Sequence, residues 1–108
     1  MKKQHLPLLL LFILLAQAPF AQQSSVIKAY IEQFKTIAIE EMQRTGVPAS
    51  IKLAQGIHET AAGQSALVQK SNNHFGIKCK TGWTGESVSH NDDARGECFR
   101  KYNDPAQS

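Results

Sequence analysis

The chain has 108 residues, 42% of them hydrophobic and 19% charged, with a formal net charge of +3. That length allows one small domain and excludes a multidomain assembly. Its basic residues form no polybasic stripe, so nucleic acid is not an expected partner.

The first stretch does not read as part of the fold. Met1-Lys2-Lys3 gives a positive start, Leu6 to Ala16 is almost purely apolar, and small residues follow at Ala16, Ala18 and Ala21. An apolar run of about ten residues is too short to span a bilayer and reads as a secretory signal peptide over residues 1–21. Cleavage after Ala18 would leave Pro19 beside the cut, which favours cleavage after Ala21. The expected mature domain is 22–108, exported to the periplasm or cell envelope, with no stable membrane span after processing. Losing Lys2 and Lys3 lowers the net charge to +1.

Ser24-Ser25 offers an N-cap for a first helix. Ile27, Tyr30, Ile31, Phe34, Ile37, Ala38 and Met42 then recur at helical spacing as one apolar stripe. Gly46 ends it, and Pro48 stands where a first helical turn tolerates proline. A second helix is expected from Pro48 to Ala61. Ile51, Leu53, Ala54 and Ile57 spread over more than one of its faces, which predicts a largely buried element stopped by Gly63. Ser65 can cap a short third helix, Ala66 to Lys70.

After Ser71 the chain becomes glycine-punctuated. Phe75 to Cys79, Gly85 to Ser89 and Cys98 to Tyr102 are expected strands, with Asn91-Asp92-Asp93 and Arg95-Gly96 marking the last turn. Cys79 and Cys98 are the only cysteines. In an oxidising compartment they are expected to form one disulfide, adding about 3 kcal/mol by closing a loop of about twenty residues. The fold class is α+β: a helical half followed by a small disulfide-tied β hairpin lobe.

Glu59 occupies the last turn of the second helix, where the helix dipole and partial burial would both oppose ionisation. A carboxyl that keeps its proton near neutral pH is what a glycosidase needs as general acid. Gly56, one turn earlier, costs helix stability unless something lies close against the backbone, such as a sugar ring. Acidic candidates for a second role gather in the β segment: Glu86, Asp92, Asp93 and Glu97. Phe75, Trp83 and Tyr102 could stack on sugar faces or form the centre of the sheet. His58, His74 and His90 show no zinc-site spacing with the cysteines, so neither metal nor cofactor is expected.

Pro48-Ala49-Ser50-Ile51-Lys52-Leu53-Ala54-Gln55, Glu59-Thr60-Ala61-Ala62-Gly63-Gln64-Ser65 and Asn73-His74-Phe75-Gly76-Ile77-Lys78 together resemble the bacterial glucosaminidase domain, glycoside hydrolase family 73. Trp83-Thr84-Gly85 and Glu97-Cys98-Phe99-Arg100-Lys101-Tyr102 resemble its continuation. The resemblance covers roughly Tyr30 to Ser108. It implies a lysozyme-like fold and hydrolysis of the β-1,4 bond after N-acetylglucosamine in peptidoglycan, with peptidoglycan glycan strands as the partner. It also implies Glu59 as general acid and Asp92 or Asp93 as second carboxylate. Gly56, Asn73, Phe75, Trp83 and Tyr102 are the expected substrate-binding residues. Family domains continue into further helices that close the groove, whereas this chain stops at Ser108, so a C-terminally shortened domain is expected. The alternatives are a catalytically inactive glycan-binding fragment of the cell wall and a lytic transglycosylase of the same fold.

Overall fold

A computed structural model describes the backbone of residues 6–108 and the side chains of residues 22–108. The leader expected over residues 1–21 therefore lies outside the described residues, except for the helical backbone from Leu6. Among the described residues no helix is long and apolar enough to cross a membrane.

Helix α1 spans Leu6–Thr45 and passes through Ser24-Ser25 without a break. The expected start there is not an end, because serine favours an N-cap but fits a helix interior at modest cost. The stop is where expected: Gly46 takes φ +80° and donates its N–H to the Met42 carbonyl at 2.8 Å. Pro48 leads into α2, Ala49–Thr60.

Helix α2 ends at Thr60, three residues before the expected glycine. Ala61 and Ala62 are both left-handed, followed by Gly63 at φ +83°. Thr60, almost fully buried, secures this turn: its hydroxyl donates to the Gly56 carbonyl at 2.6 Å and accepts the Gly63 N–H at 2.7 Å. The helix is not largely buried as its composition suggested. Only Gly56 and Thr60 are buried, and Ile51 is 50% exposed. Helix α1 packs along one side, and among the described residues nothing covers Ile51.

Ser65 caps α3, Ala66–Ser71, its hydroxyl accepting the Val68 N–H at 3.3 Å. Strands β1, Ser87–His90, and β2, Glu97–Arg100, form an antiparallel hairpin with Val88 opposite Phe99 and His90 opposite Glu97. The third expected strand, Phe75 to Cys79, reduces to a single bridge between Lys78 and Phe99. Gly76, at φ +61°, turns the chain out of extended geometry. The Asn73 side chain then takes both backbone groups of Ile77, accepting its N–H at 2.9 Å and donating to its carbonyl at 2.8 Å.

Cys79 and Cys98 form the expected disulfide, their Cα atoms 5.5 Å apart. A short 3-10 turn, Pro105–Gln107, closes the chain. The core is small and unusually polar. Tyr30, Ala38, Val68 and Phe99 are buried together with Thr60, Ser71, Asn73 and His74.

Candidate active site

Glu59 is the penultimate residue of α2, which puts its carboxylate at the negative end of the helix. The left-handed turn from Ala61 to Gly63 folds the chain back, and the Asn72–Lys78 loop returns alongside. Glu59 Oε2 lies 3.6 Å from where a Cβ on Gly76 would be, so the carboxylate rests on the open side of that glycine. The partial burial expected of Glu59 is absent. Its side chain is exposed.

Gly56 is buried and faces α1. A Cβ there would collide with the Tyr30 hydroxyl and stand 3.2 Å from Tyr30 Cζ. A close approach to this backbone does occur, as the glycine suggested, but Tyr30 makes it. The Tyr30 hydroxyl also hydrogen-bonds His74 Nδ1 at 2.7 Å. Burial pushes the Tyr30 phenol up from its ordinary range, partly opposed by the Thr60 hydroxyl, and pushes the His74 imidazole down.

Asn73 is 2% exposed, and its amide is spent on the Ile77 backbone and on the Arg100 carbonyl at 2.9 Å. Its place is structural: it ties the Glu59 side of the loop to β2. The aromatic residues are half-buried and partnered. Phe75 carries the Lys52 ammonium 4.4 Å above its ring centre. Trp83 donates its indole N–H to the Glu86 carbonyl at 3.0 Å, packs edge-on against Tyr102, and has the Arg100 guanidinium 4.6 Å from its ring centre.

The hairpin tip gathers the expected carboxylates around a lysine that sequence reasoning had not singled out. Lys78 Nζ lies 3.0 Å from Glu97 Oε2, 3.3 Å from Asp93 Oδ2 and 4.0 Å from Asp92 Oδ2. The Lys78 ammonium is held above its usual range, first by the Glu97 carboxylate it pairs with and then by its hydrogen bond to Asp93. Acceptor oxygens of Asp92, Asp93 and Glu97 lie within 4.8 Å of one another, and Lys78 supplies the positive charge among them. Glu86 stands apart, at the β1 start, where its carbonyl also accepts the Lys101 N–H at 2.9 Å. The three-residue stretch Gly76–Lys78 thus connects both acidic features, with Glu59 against its first residue and the hairpin-tip carboxylates against its last.

Residues 35–108 match the family model Glucosaminidase, described as mannosyl-glycoprotein endo-beta-N-acetylglucosaminidase. Among solved structures, a peptidoglycan hydrolase from Sphingomonas sp. A1 is 34% identical with a TM-score of 0.66, over 73% of this chain and 54% of that one. A C-terminally truncated glycoside hydrolase domain of Salmonella typhimurium FlgJ is 26% identical with a TM-score of 0.57, over 72% of this chain and 60% of that one. The FlgJ domain in another structure is 24% identical with a TM-score of 0.65, over 75% and 54%, a likeness that speaks for the fold alone. The chain spans about half the length of the structures it matches. A search of curated proteins returned no match. The helical half and disulfide-tied hairpin are the lysozyme-like α+β arrangement that the motifs implied.

Proposed function

The chain belongs to the glucosaminidase family, and on that footing we propose that it is an exported peptidoglycan hydrolase. It cleaves the β-1,4 bond after N-acetylglucosamine, with Glu59 as general acid. The observation that carries this reading is the exposed carboxylate at the end of α2, seated on Gly76. Glu59 protonates the leaving glycosidic oxygen while positive charge develops on the sugar ring. Asp93 or Asp92, at the hairpin tip, stabilises that charge or directs the attacking water. A separation of about 5 Å between the two working carboxylates would retain the anomeric configuration, and about 6.5–9.5 Å would invert it.

Export by the leader over residues 1–21 agrees with the Cys79–Cys98 disulfide, which persists outside reducing compartments. Phe75, Trp83 and Tyr102, each half-buried, are the aromatic surfaces this reading assigns to sugar faces. The exposure of Glu59 favours a second reading, binding of wall glycan without turnover, because a general acid works best where water is excluded.

Incubation with purified peptidoglycan separates the readings. Release of reducing N-acetylglucosamine ends supports the hydrolase, and an anhydro-sugar product identifies a lytic transglycosylase. Sedimentation with peptidoglycan without either product identifies a binding module.

A further inference from the structure

Tyr30 stands between the two segments that hold Glu59. Its hydroxyl fits the notch at Gly56, three residues before Glu59, and its ring edge lies 3.4 Å from the Cβ position of Gly63, four residues after it. The same hydroxyl bonds His74 Nδ1 at 2.7 Å, and His74 is two residues from the Gly76 backbone on which the Glu59 carboxylate rests. Phe34 packs on both rings, with centroids 4.5 Å from Tyr30 and 4.7 Å from His74. Tyr30 and His74 are each 5% exposed, so neither is available to substrate. Among the described residues, this is the only side-chain hydrogen bond joining α1 or α2 to the Asn72–Lys78 loop.

We infer that Tyr30 and His74 are positioning residues for Glu59: their hydrogen bond sets the height of the Phe75–Gly76 backbone against the end of α2. Apart from the packing of Phe34 on His74 and the Lys52 ammonium over Phe75, the helix end and the loop are held by separate means. The loop is fastened by Asn73 to Ile77 and Arg100, on the β side, and the helix end by Thr60 to Gly56 and Gly63. Without the phenol–imidazole bond each half keeps its own ties, and the spacing between them loosens. Small misplacements of that kind cost turnover far more than they cost binding. The role rests on Glu59 being the acid, but the placement of its side chain can be read without any substrate.

The test follows the Gly76 amide and Glu59 side-chain carboxyl resonances by NMR in four variants. Tyr30→Phe keeps the ring in its notch and removes only the hydroxyl, and His74→Leu removes the partner. Both are expected to shift the two resonances together. His74→Asn places an amide near the Nδ1 position and is expected to return them toward wild type. Glu40→Gly, at an exposed position of α1 about three turns from Tyr30, weakens the helix without touching the core and is expected to leave them in place. On peptidoglycan fragments, Tyr30→Phe is expected to lower kcat by about tenfold or more with KM nearly unchanged. Unmoved resonances in Tyr30→Phe, or equal movement in Glu40→Gly, would overturn the positioning role. A wild type that releases no glycan ends would overturn the hydrolase reading instead, and the resonances would still decide whether the pair places Glu59.

Discussion

The hydroxyl of Tyr30 occupies the space in which Gly56 lacks a side chain. A glycine inside a helix is unfavourable by about 1 kcal/mol relative to alanine, so Gly56 is retained against local preference. The contact joins α1 to α2 one turn before Glu59, and it gives the first prediction a clear sign.

Gly56→Ala should destabilise the protein by about 1–3 kcal/mol, the usual cost of overpacking, despite the better helix propensity of alanine. In a Tyr30→Phe background the colliding oxygen is gone, and the nearest ring carbon stands 3.2 Å from the new methyl. The same substitution should then be nearly neutral. Urea denaturation of the four combinations gives the coupling energy, expected at about 1 kcal/mol or more. Additive effects would mean that Tyr30 is not what the glycine accommodates.

Much of this arrangement was legible in the sequence, and the rest was hidden for identifiable reasons. The apolar stripe of α1, the Ser65 cap and the two cysteines each depend on local spacing or on compartment, and each led to the observed element. Gly56 signalled a close approach, but not by what, since Tyr30 lies on another helix. His74 is 44 positions from Tyr30, a distance at which no local pattern operates. The missing third strand turned on Asn73, whose side chain takes over backbone bonds that a ladder would otherwise use. The burial of α2 was overestimated because its apolar residues were counted before it was known what would cover them.

The disulfide joins β2 to the strand-like end of the Asn72–Lys78 loop, closing a loop with a sequence separation of 19. Replacing both Cys79 and Cys98 by serine should cost about 3 kcal/mol. In a domain of this size that lowers Tm by more than about ten degrees. Calorimetry of wild type with and without reductant checks it independently, because reduction should reproduce the loss seen in the double variant.

Buried His74 should make stability depend on pH in one direction. Its folded value is depressed by burial, whereas in an unfolded chain it protonates near pH 6.5. Above about pH 6.5 the ring is neutral in both states and contributes no slope. As pH falls below that, the unfolded state takes up more protons, so stability drops until the folded ring itself protonates, and then levels off. His74→Asn should flatten this part of the profile. Equal slopes for wild type and variant in denaturant titrations between about pH 7.5 and 5 would contradict the prediction.

Glu59→Gln is the decisive substitution for function. Glutamine keeps the length and shape of the side chain, and Glu59 makes no ion pair among the described residues, so the fold should persist with an unchanged Tm. If Glu59 donates the proton to the leaving oxygen, peptidoglycan turnover should fall by at least about a hundredfold while glycan binding survives. At the hairpin tip the three carboxylates are held unequally. Asp93 is 84% exposed at 3.3 Å from Lys78, and Asp92 is 52% exposed at 4.0 Å. Asp92→Asn and Asp93→Asn should therefore differ in their effect on turnover if one of them faces the reacting sugar. Lys78→Met should weaken both positions at once, since it removes the only ammonium placed among them in the described residues. A Glu59→Gln protein that releases reducing ends at the wild-type rate would remove Glu59 from the mechanism, whatever the hairpin variants do.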